Sequence, residues 1–266
     1  MVFAMSDWLL GAEIVQLGLA SALNQVAALL AQARAGVNAA PALEDPAALT
    51  LVRAPRAAFL ARSERAALIG AVKRFEAPEW IGQMMPRSAG RVRQFVRPLQ
   101  IDTRGRINTL RVAARQGGQR RFAGLAGLAE LAEITQPFLC YLPQQDRRAF
   151  VAAVDFVVAD PLAMHEPGAG RVVLVTDLAV FEFTSHGARA LSVHPGVDQQ
   201  TLRERTPNAV VIDDAPLTAL PDPDMLHALR TRIDPRRVRE IEFTSGAQRR
   251  EALLRLYAEE HALQLV

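Results

Sequence analysis

The stretch that decides the fold is Val173-Leu-Val-Thr-Asp-Leu-Ala-Val-Phe-Glu-Phe183, VLVTDLAVFEF. Val173 to Val175 are three consecutive apolar residues of strand-forming type, the pattern of a strand covered on both faces. Thr176-Asp177 then interrupt the run with turn chemistry, and Val180 to Phe183 resume it. By alternation Val180 and Glu182 fall on one face, Phe181 and Phe183 on the other. The segment therefore reads as two strands of a hairpin. Glu182 is expected to be either exposed or held in a structural ion pair. Eight residues on, Leu191-Ser-Val-His-Pro-Gly-Val197 redirects the chain into a polar helical run around Thr201 to Arg205. Asp177, His194, Pro195 and Gly196 are read as structural, with the His194 ring bonding a loop carbonyl.

Outward from this hairpin the pattern is mixed α/β. Glu13 to Ala35 carries Ile14, Leu17, Leu19, Leu23, Val26, Leu29 and Leu30 at helical spacing, stopped by Gly36, Asn38 and Pro41. Leu49, Leu51 and Val52 predict a short buried strand ended by Pro55, and Arg56 to Arg74 a second helix. Gln94 to Ile101 is extended and turns at Asp102-Thr-Arg-Gly105. Arg111 to Arg121, with Gly117-Gly118, reads as an exposed loop. Phe138 to Leu142 and Phe150 to Val158 read as strands. Helices follow at Asp222 to Arg232 and from Ala247. No internal repeat is present. The expected organisation is one α/β domain over 1–240 with a C-terminal helix over 241–266.

Composition narrows the function classes. At 266 residues, half of them hydrophobic, the chain can bury a sizeable core. No apolar run reaches the ~18–20 residues of a membrane span, and the first residues lack the basic region of a secretory signal. Lone Cys140 excludes an internal disulfide and a cysteine-based zinc site; inside an apolar strand it is expected to be an inert thiol. The remaining histidines have no metal-ligand spacing, so no metal is expected. A cytoplasmic location is the simplest expectation. Of the 31 basic residues only Lys73 is not arginine. Two readings stand: a compositional bias, or a phosphate-binding surface, since guanidinium forks match phosphate oxygens. The basic segment Arg87 to Arg121 lacks the aromatic interleaving of a nucleic-acid platform. Neither nucleic acid nor membrane is an expected partner.

Four motifs in order carry a family resemblance. VLVTDLAVFEF followed by ALSVHPGVDQQTLRERT resembles the signature of class I CoA-transferase β subunits of the glutaconate type. PLQIDTRGRIN (98–108) resembles the family's A-Q-I-D-x-Y-G-N-V-N strand and turn, with Asp102, Gly105 and Asn108 as its structural residues. RRFAGLAGLAEL stands at the family's glycine-rich loop. LPDPDMLHALRTRIDP (220–235) resembles the closing helix. RRAFVAAVDFVV together with SVHPGV is most similar to one branch, the β subunit of the steroid ring-opening hydrolases that act on CoA thioesters. The match spans about Gln94 to Arg239, and the first ninety residues follow by pattern alone.

The resemblance implies an open, mostly parallel α/β sheet with helices on both faces. It also implies an α-subunit partner in a heterodimer or heterotetramer, an acyl-CoA substrate and no permanently bound cofactor. In the transferases a β-subunit glutamate after the second strand attacks the thioester, and backbone N–H groups of an early glycine loop hold the oxyanion. The nucleophile's expected place here is Val52-Arg53-Ala54-Pro55, and arginine cannot attack a carbonyl. Glu44, Asp45 and Glu64 are off that motif. The early loop has become Leu17-Gly18-Leu19-Ala20-Ser21, the later one Gly124-Leu125-Ala126-Gly127. Gly18, Ser21, Arg53, Gly124 and Gly127 are thus the candidates for contacting CoA or substrate, Arg53 being equally readable as an ordinary surface arginine. The resemblance favours a half-site acting by hydrolase or lyase chemistry with its glutamate in the α subunit. A non-catalytic assembly subunit and conventional CoA transfer remain the alternatives.

Overall fold

The computed structural model describes residues 1–18, 21–36, 39–45, 50–52, 71–76, 78–79, 91–114, 116–122, 124 and 127–264. The chain forms two compact units, one of Met1 with Ser88–Leu220, the other of Val2–Arg87 with Pro221–Val266.

The second of these contains the chain's early elements. Helix α1 (Val2–Leu9) precedes β1 (Ile14–Gln16), then α2 (Ala22–Ala35), β2 (Ala42–Asp45), β3 (Thr50–Val52) and β4 (Ala71–Arg74). The helix expected from Glu13 begins only at Ala22. β-branched Ile14 and Val15 prefer a strand, and Gly18 takes φ 69, which separates strand from helix. The Ser21 hydroxyl accepts from Asn24 N at 3.1 Å and so caps α2. Alanine and leucine make α2 a strong helix former, and Leu23, Val26 and Leu30 are fully buried.

β2 pairs parallel with β1 in the register Gln16↔Glu44. β3 then returns antiparallel, Asp45↔Thr50, and β4 pairs with β3. The segment expected to be the second strand is therefore the third. Ala71–Arg74, expected to end a helix, is strand instead.

The same unit ends in α5 (Pro223–Ala228), a π-turn (Leu229–Ile233), a 3-10 turn (Val238–Glu242) and α6 (Gly246–Gln264). Buried Asp234 ties the two turns together. It accepts from Val238 N at 2.7 Å, Arg239 N at 3.2 Å and Arg239 Nη1 at 2.6 Å.

In the unit around Ser88–Leu220 the short strands β5 (Val92–Arg93), β6 (Phe95–Val96), β7 (Gln100–Asp102) and β8 (Ile107–Asn108) come first. The hairpin β9 (Arg111–Ala113) and β10 (Gln119–Arg121) stands where a loop was expected; Gly117 and Gly118, at φ 86 and 79, turn it. Then come α3 (Leu128–Ile134), β11 (Phe138–Leu142), β12 (Phe150–Val151), β13 (Val172–Thr176), β14 (Ala179–Thr184), β15 (Gly187–Val193), α4 (Gln199–Arg205) and β16 (Val210–Val211). The strand expected over Phe150 to Val158 ends at Val151, since Ala152 and Ala153 are exposed and the chain bends away.

Six strands make the main sheet in the order β16-β15-β14-β13-β11-β6. Its β15–β16, β11–β13 and β11–β6 pairings are parallel, and the hairpin β13–β14–β15 is antiparallel. All of β13 is fully buried, as its unbroken apolar run requires. Phe181 and Phe183 project to one face, where Phe150 meets them edge-on at 5.2 and 5.9 Å. Each such buried ring contributes roughly 1.5–3 kcal/mol through area removed from water. Glu182 points the other way and is 5 % exposed. Arg171 and Arg189 pair with it, Arg189 at 2.9 Å, so the structural ion pair is the reading realised.

Candidate functional site

At the carboxyl end of the parallel pair β1–β2, open α/β sheets place their ligand loops. There the polar side chains form a short chain of contacts. Gln16 Nε2 donates to Glu44 Oε2 at 2.9 Å. The Gln16 carbonyl accepts from Asn24 Nδ2 at 2.8 Å. Ser21, one turn earlier, caps the helix that carries Asn24. Gly18 and Ser21, expected together in one loop, do lie in the same β1–α2 connection. The hydroxyl of Ser21 is engaged in capping. The amide of Leu23 in the first turn donates to Glu242 Oε1 at 2.8 Å. Glu242 thereby places a carboxylate at the positive end of α2, where the helix dipole favours it.

Glu44 is 2 % exposed, and its hydrogen bond to Gln16 offsets part of the cost of burying its carboxyl group. Sequence reasoning set it aside as off the motif. β2 is four residues long and half acidic, so neither length nor hydrophobicity marked it as a strand. Yet it is the second strand of the parallel pair, and it ends on Glu44-Asp45. Arg53, named as standing at the nucleophile's place, lies outside the described residues; it follows the third strand, not the second.

Gly124 and Gly127 belong to the other unit. Gly124 is pressed against Thr109: a Cβ there would lie 1.8 Å from the Thr109 carbonyl oxygen, and the Thr109 hydroxyl donates to the Gly124 carbonyl. Close backbone approach alone explains that glycine. Gly127, at φ 69, is the N-cap of α3.

The family-signature residues are structural in their contacts. Asp102 is fully buried and gathers the turn before β8. Asn108 donates to Gln100 Oε1 at 2.8 Å and to the Arg111 carbonyl at 2.6 Å, and so fixes where β9 departs. Gly105, at φ 73, would bring a Cβ within 3.2 Å of Phe183 Cβ. Thr176 accepts through Oγ1 from the amides of Leu178 and Ala179, both at 3.0 Å. Asp177 Oδ1 accepts from Gln145 N at 2.7 Å; burial raises the Asp177 carboxyl above its ordinary range. Gly196, after Pro195, takes φ 83 in the turn that leads to α4.

The ring of His194 lies between Thr176 O at 3.0 Å from Nε2 and Thr218 Oγ1 at 2.9 Å from Nδ1. A carbonyl only accepts, so the proton is assigned to Nε2 and Nδ1 accepts from the threonine. Burial pushes the His194 imidazolium down to about 4. In the unfolded chain it titrates near its ordinary value of about 6.5. Between those values the unfolded state binds a proton that the native state refuses. Stability is therefore expected to fall as pH drops from about 6.5 to about 4, and this contribution levels off below that. After allowance for partial solvent access, the loss is on the order of 2 kcal/mol. Urea titrations of wild type and His194→Gln across this range check it: the variant's acid slope is shallower, and equal slopes would refute the assignment.

Cys140 is fully buried, and burial raises its thiol far out of the working range, which makes it inert. Among the described residues no group of three or more His, Cys, Asp or Glu side chains is placed to hold a metal ion. No described helix is long and apolar enough to cross a membrane.

Comparison with known proteins bears on this geometry. No protein-family model matches the chain. Over 155 residues it is 33 % identical to the cholesterol ring-cleaving hydrolase IpdB subunit of Mycobacterium tuberculosis; the match covers 55 % of this chain and 62 % of the relative. The chain thus spans about three fifths of the length of the curated relatives it matches. Among solved structures, the decarboxylase AibA/AibB superposes with a TM-score of 0.74 at 27 % identity, covering 90 % of this chain and 95 % of that one. Glutaconate coenzyme A-transferase from Acidaminococcus fermentans shares the fold, with a TM-score of 0.73 at 17 % identity over 88 % of this chain and 93 % of its own.

Proposed function

We propose, starting from a chain that belongs by fold to the CoA-transferase family, that it is the β-type subunit of a heteromeric complex acting on an acyl-CoA thioester. The chemistry is of hydrolase or lyase type, with the catalytic glutamate on the α subunit. Similarity to a subunit named as a ring-cleaving hydrolase carries this reading, and the likeness to AibA/AibB, a decarboxylase, supports it. Such reactions break a carbon–carbon bond and leave the thioester intact. A subunit can therefore serve them by binding and enclosing the CoA ester without supplying a nucleophile. The burial of Glu44 and its bond to Gln16 fit a positioning role for that side chain. The cytoplasm, where CoA esters are handled, is the compartment proposed.

A second reading has one observation in its favour. Glu44 stands one residue before the end of the second strand of the parallel pair, near the place from which the transferases present their glutamate. On that reading the chain performs conventional CoA transfer itself.

The experiment is thermal: the chain is co-expressed with an α-type subunit, purified as a complex and melted with and without a panel of CoA thioesters. At a concentration a hundredfold above Kd a ligand stabilises by about 2.7 kcal/mol, an easily resolved rise in Tm. A complex whose Tm no CoA ester moves would argue for an assembly role without chemistry.

A further inference from the structure

The exposed β9–β10 hairpin sets two arginines directly opposite each other: Arg111 on β9 pairs in register with Arg121 on β10. Cross-strand partners share a face with Cβ atoms about 5 Å apart, and like charges in that position repel. Gln119 lies on the same face and accepts from Arg111 Nη1 at 3.2 Å. The Arg111 guanidinium lies over the Phe156 ring, 4.1 Å from its centroid. Its Nε is buried without a hydrogen-bond partner among the described residues. No described carboxylate lies within ion-pair distance of Arg111 or Arg121. Asp155, next to Phe156, accepts from the Ala113 amide at 2.8 Å. On the opposite face Arg120 lies 5.0 Å from the Phe122 ring centroid.

Arg111 and Arg121 thus stand side by side with no described carboxylate between them, one of them seated on an aromatic ring, and an anion that joins them would relieve their repulsion. Paired forks of this kind match phosphate oxygens bidentately. We infer that Arg111 and Arg121, with Gln119 beside them, form a phosphate-binding site on the hairpin. On the acyl-CoA reading above, on which this identification of the ligand rests, the site takes the phosphate-bearing end of the CoA thioester. The basic segment that the sequence left between composition and phosphate binding thereby acquires a specific pair of residues.

Calorimetric titration of the full chain with pyrophosphate, adenosine 3′,5′-bisphosphate and a CoA ester tests this. Wild type is expected to bind all three. Arg121→Gln and Arg111→Gln should each weaken binding about tenfold, as loss of one charge-assisted fork implies. Arg148→Gln, which removes an exposed arginine paired with Asp146, should leave binding unchanged. Arg121 is exposed, so its variant is expected to fold with the wild-type Tm. Wild type that fails to bind pyrophosphate, or pyrophosphate binding that survives both substitutions, overturns the site. If the CoA ester binds and the substitutions do not weaken it, the hairpin's role falls and the acyl-CoA reading stands. If pyrophosphate binding is lost with the arginines but no CoA ester binds wild type either alone or in complex with the α-type subunit, the phosphate site stands and the acyl-CoA reading falls.

Discussion

Asp102→Ala is expected to lower the unfolding free energy by about 3–5 kcal/mol, the cost of removing one partner from a buried, charged hydrogen-bond cluster. Asp102 is fully buried. Its Oδ1 accepts from Arg104 N at 3.0 Å and Arg106 N at 3.1 Å, while Oδ2 accepts from Arg106 Nε at 2.8 Å. Without the carboxylate the amides of Arg104, Arg106 and Val154 lose an acceptor, and the Arg106 guanidinium loses its counter-charge. The Arg106 side chain is 24 % exposed and can recover some hydration, which places the loss toward the lower end of that range. Asp102→Asn keeps the shape and one acceptor oxygen and should cost less than the alanine change. Urea unfolding followed by tryptophan-independent far-UV signal measures both variants. An Asp102→Ala loss below about 1 kcal/mol would mean that the turn is held by its backbone alone.

The second large effect concerns catalysis. Turnover of acyl-CoA by this chain alone is expected to stay at background. Adding the α-type subunit should raise it by roughly three orders of magnitude or more, the scale set by a positioned acid–base or nucleophilic group. Within the assembled complex Glu44→Gln should change turnover by less than about tenfold, since the amide keeps the shape and one acceptor for Gln16. A loss of about a thousandfold with Glu44→Gln would move the chemistry onto this chain and favour the transfer reading.

The hairpin, the Asp102 turn and the His194 turn were legible because each is short-range: alternation, a turn signature and a proline-glycine pair act over a few residues. The Glu182 ion pair followed from alternation as one of two alternatives, and burial decided between them. The β1–α2–β2 region misled for physical reasons. Ile14 and Leu17 fit the helical spacing of the residues after Ala22, so a three-residue strand merged with the helix behind it. β2 is held in place by parallel pairing and by Gln16, both contacts distant in sequence. A four-residue strand ending in two acids gives no local sign of that. The strand count bears on the candidate site: Glu44 stands in β2, whereas Arg53 follows β3. The β9–β10 hairpin was hidden likewise, since its polar residues resemble a loop and only pairing reveals the Arg111–Arg121 face.

The most direct test of the central claim follows the fate of CoA. A complex of this chain with an α-type subunit is incubated with an acyl-CoA thioester and an excess of isotopically labelled acceptor acid. The products are then resolved by mass. Hydrolase or lyase chemistry predicts that every CoA remains on a fragment of the original acyl group, with the acceptor unlabelled by CoA. Labelled acceptor-CoA accumulating at the rate of substrate loss would contradict it.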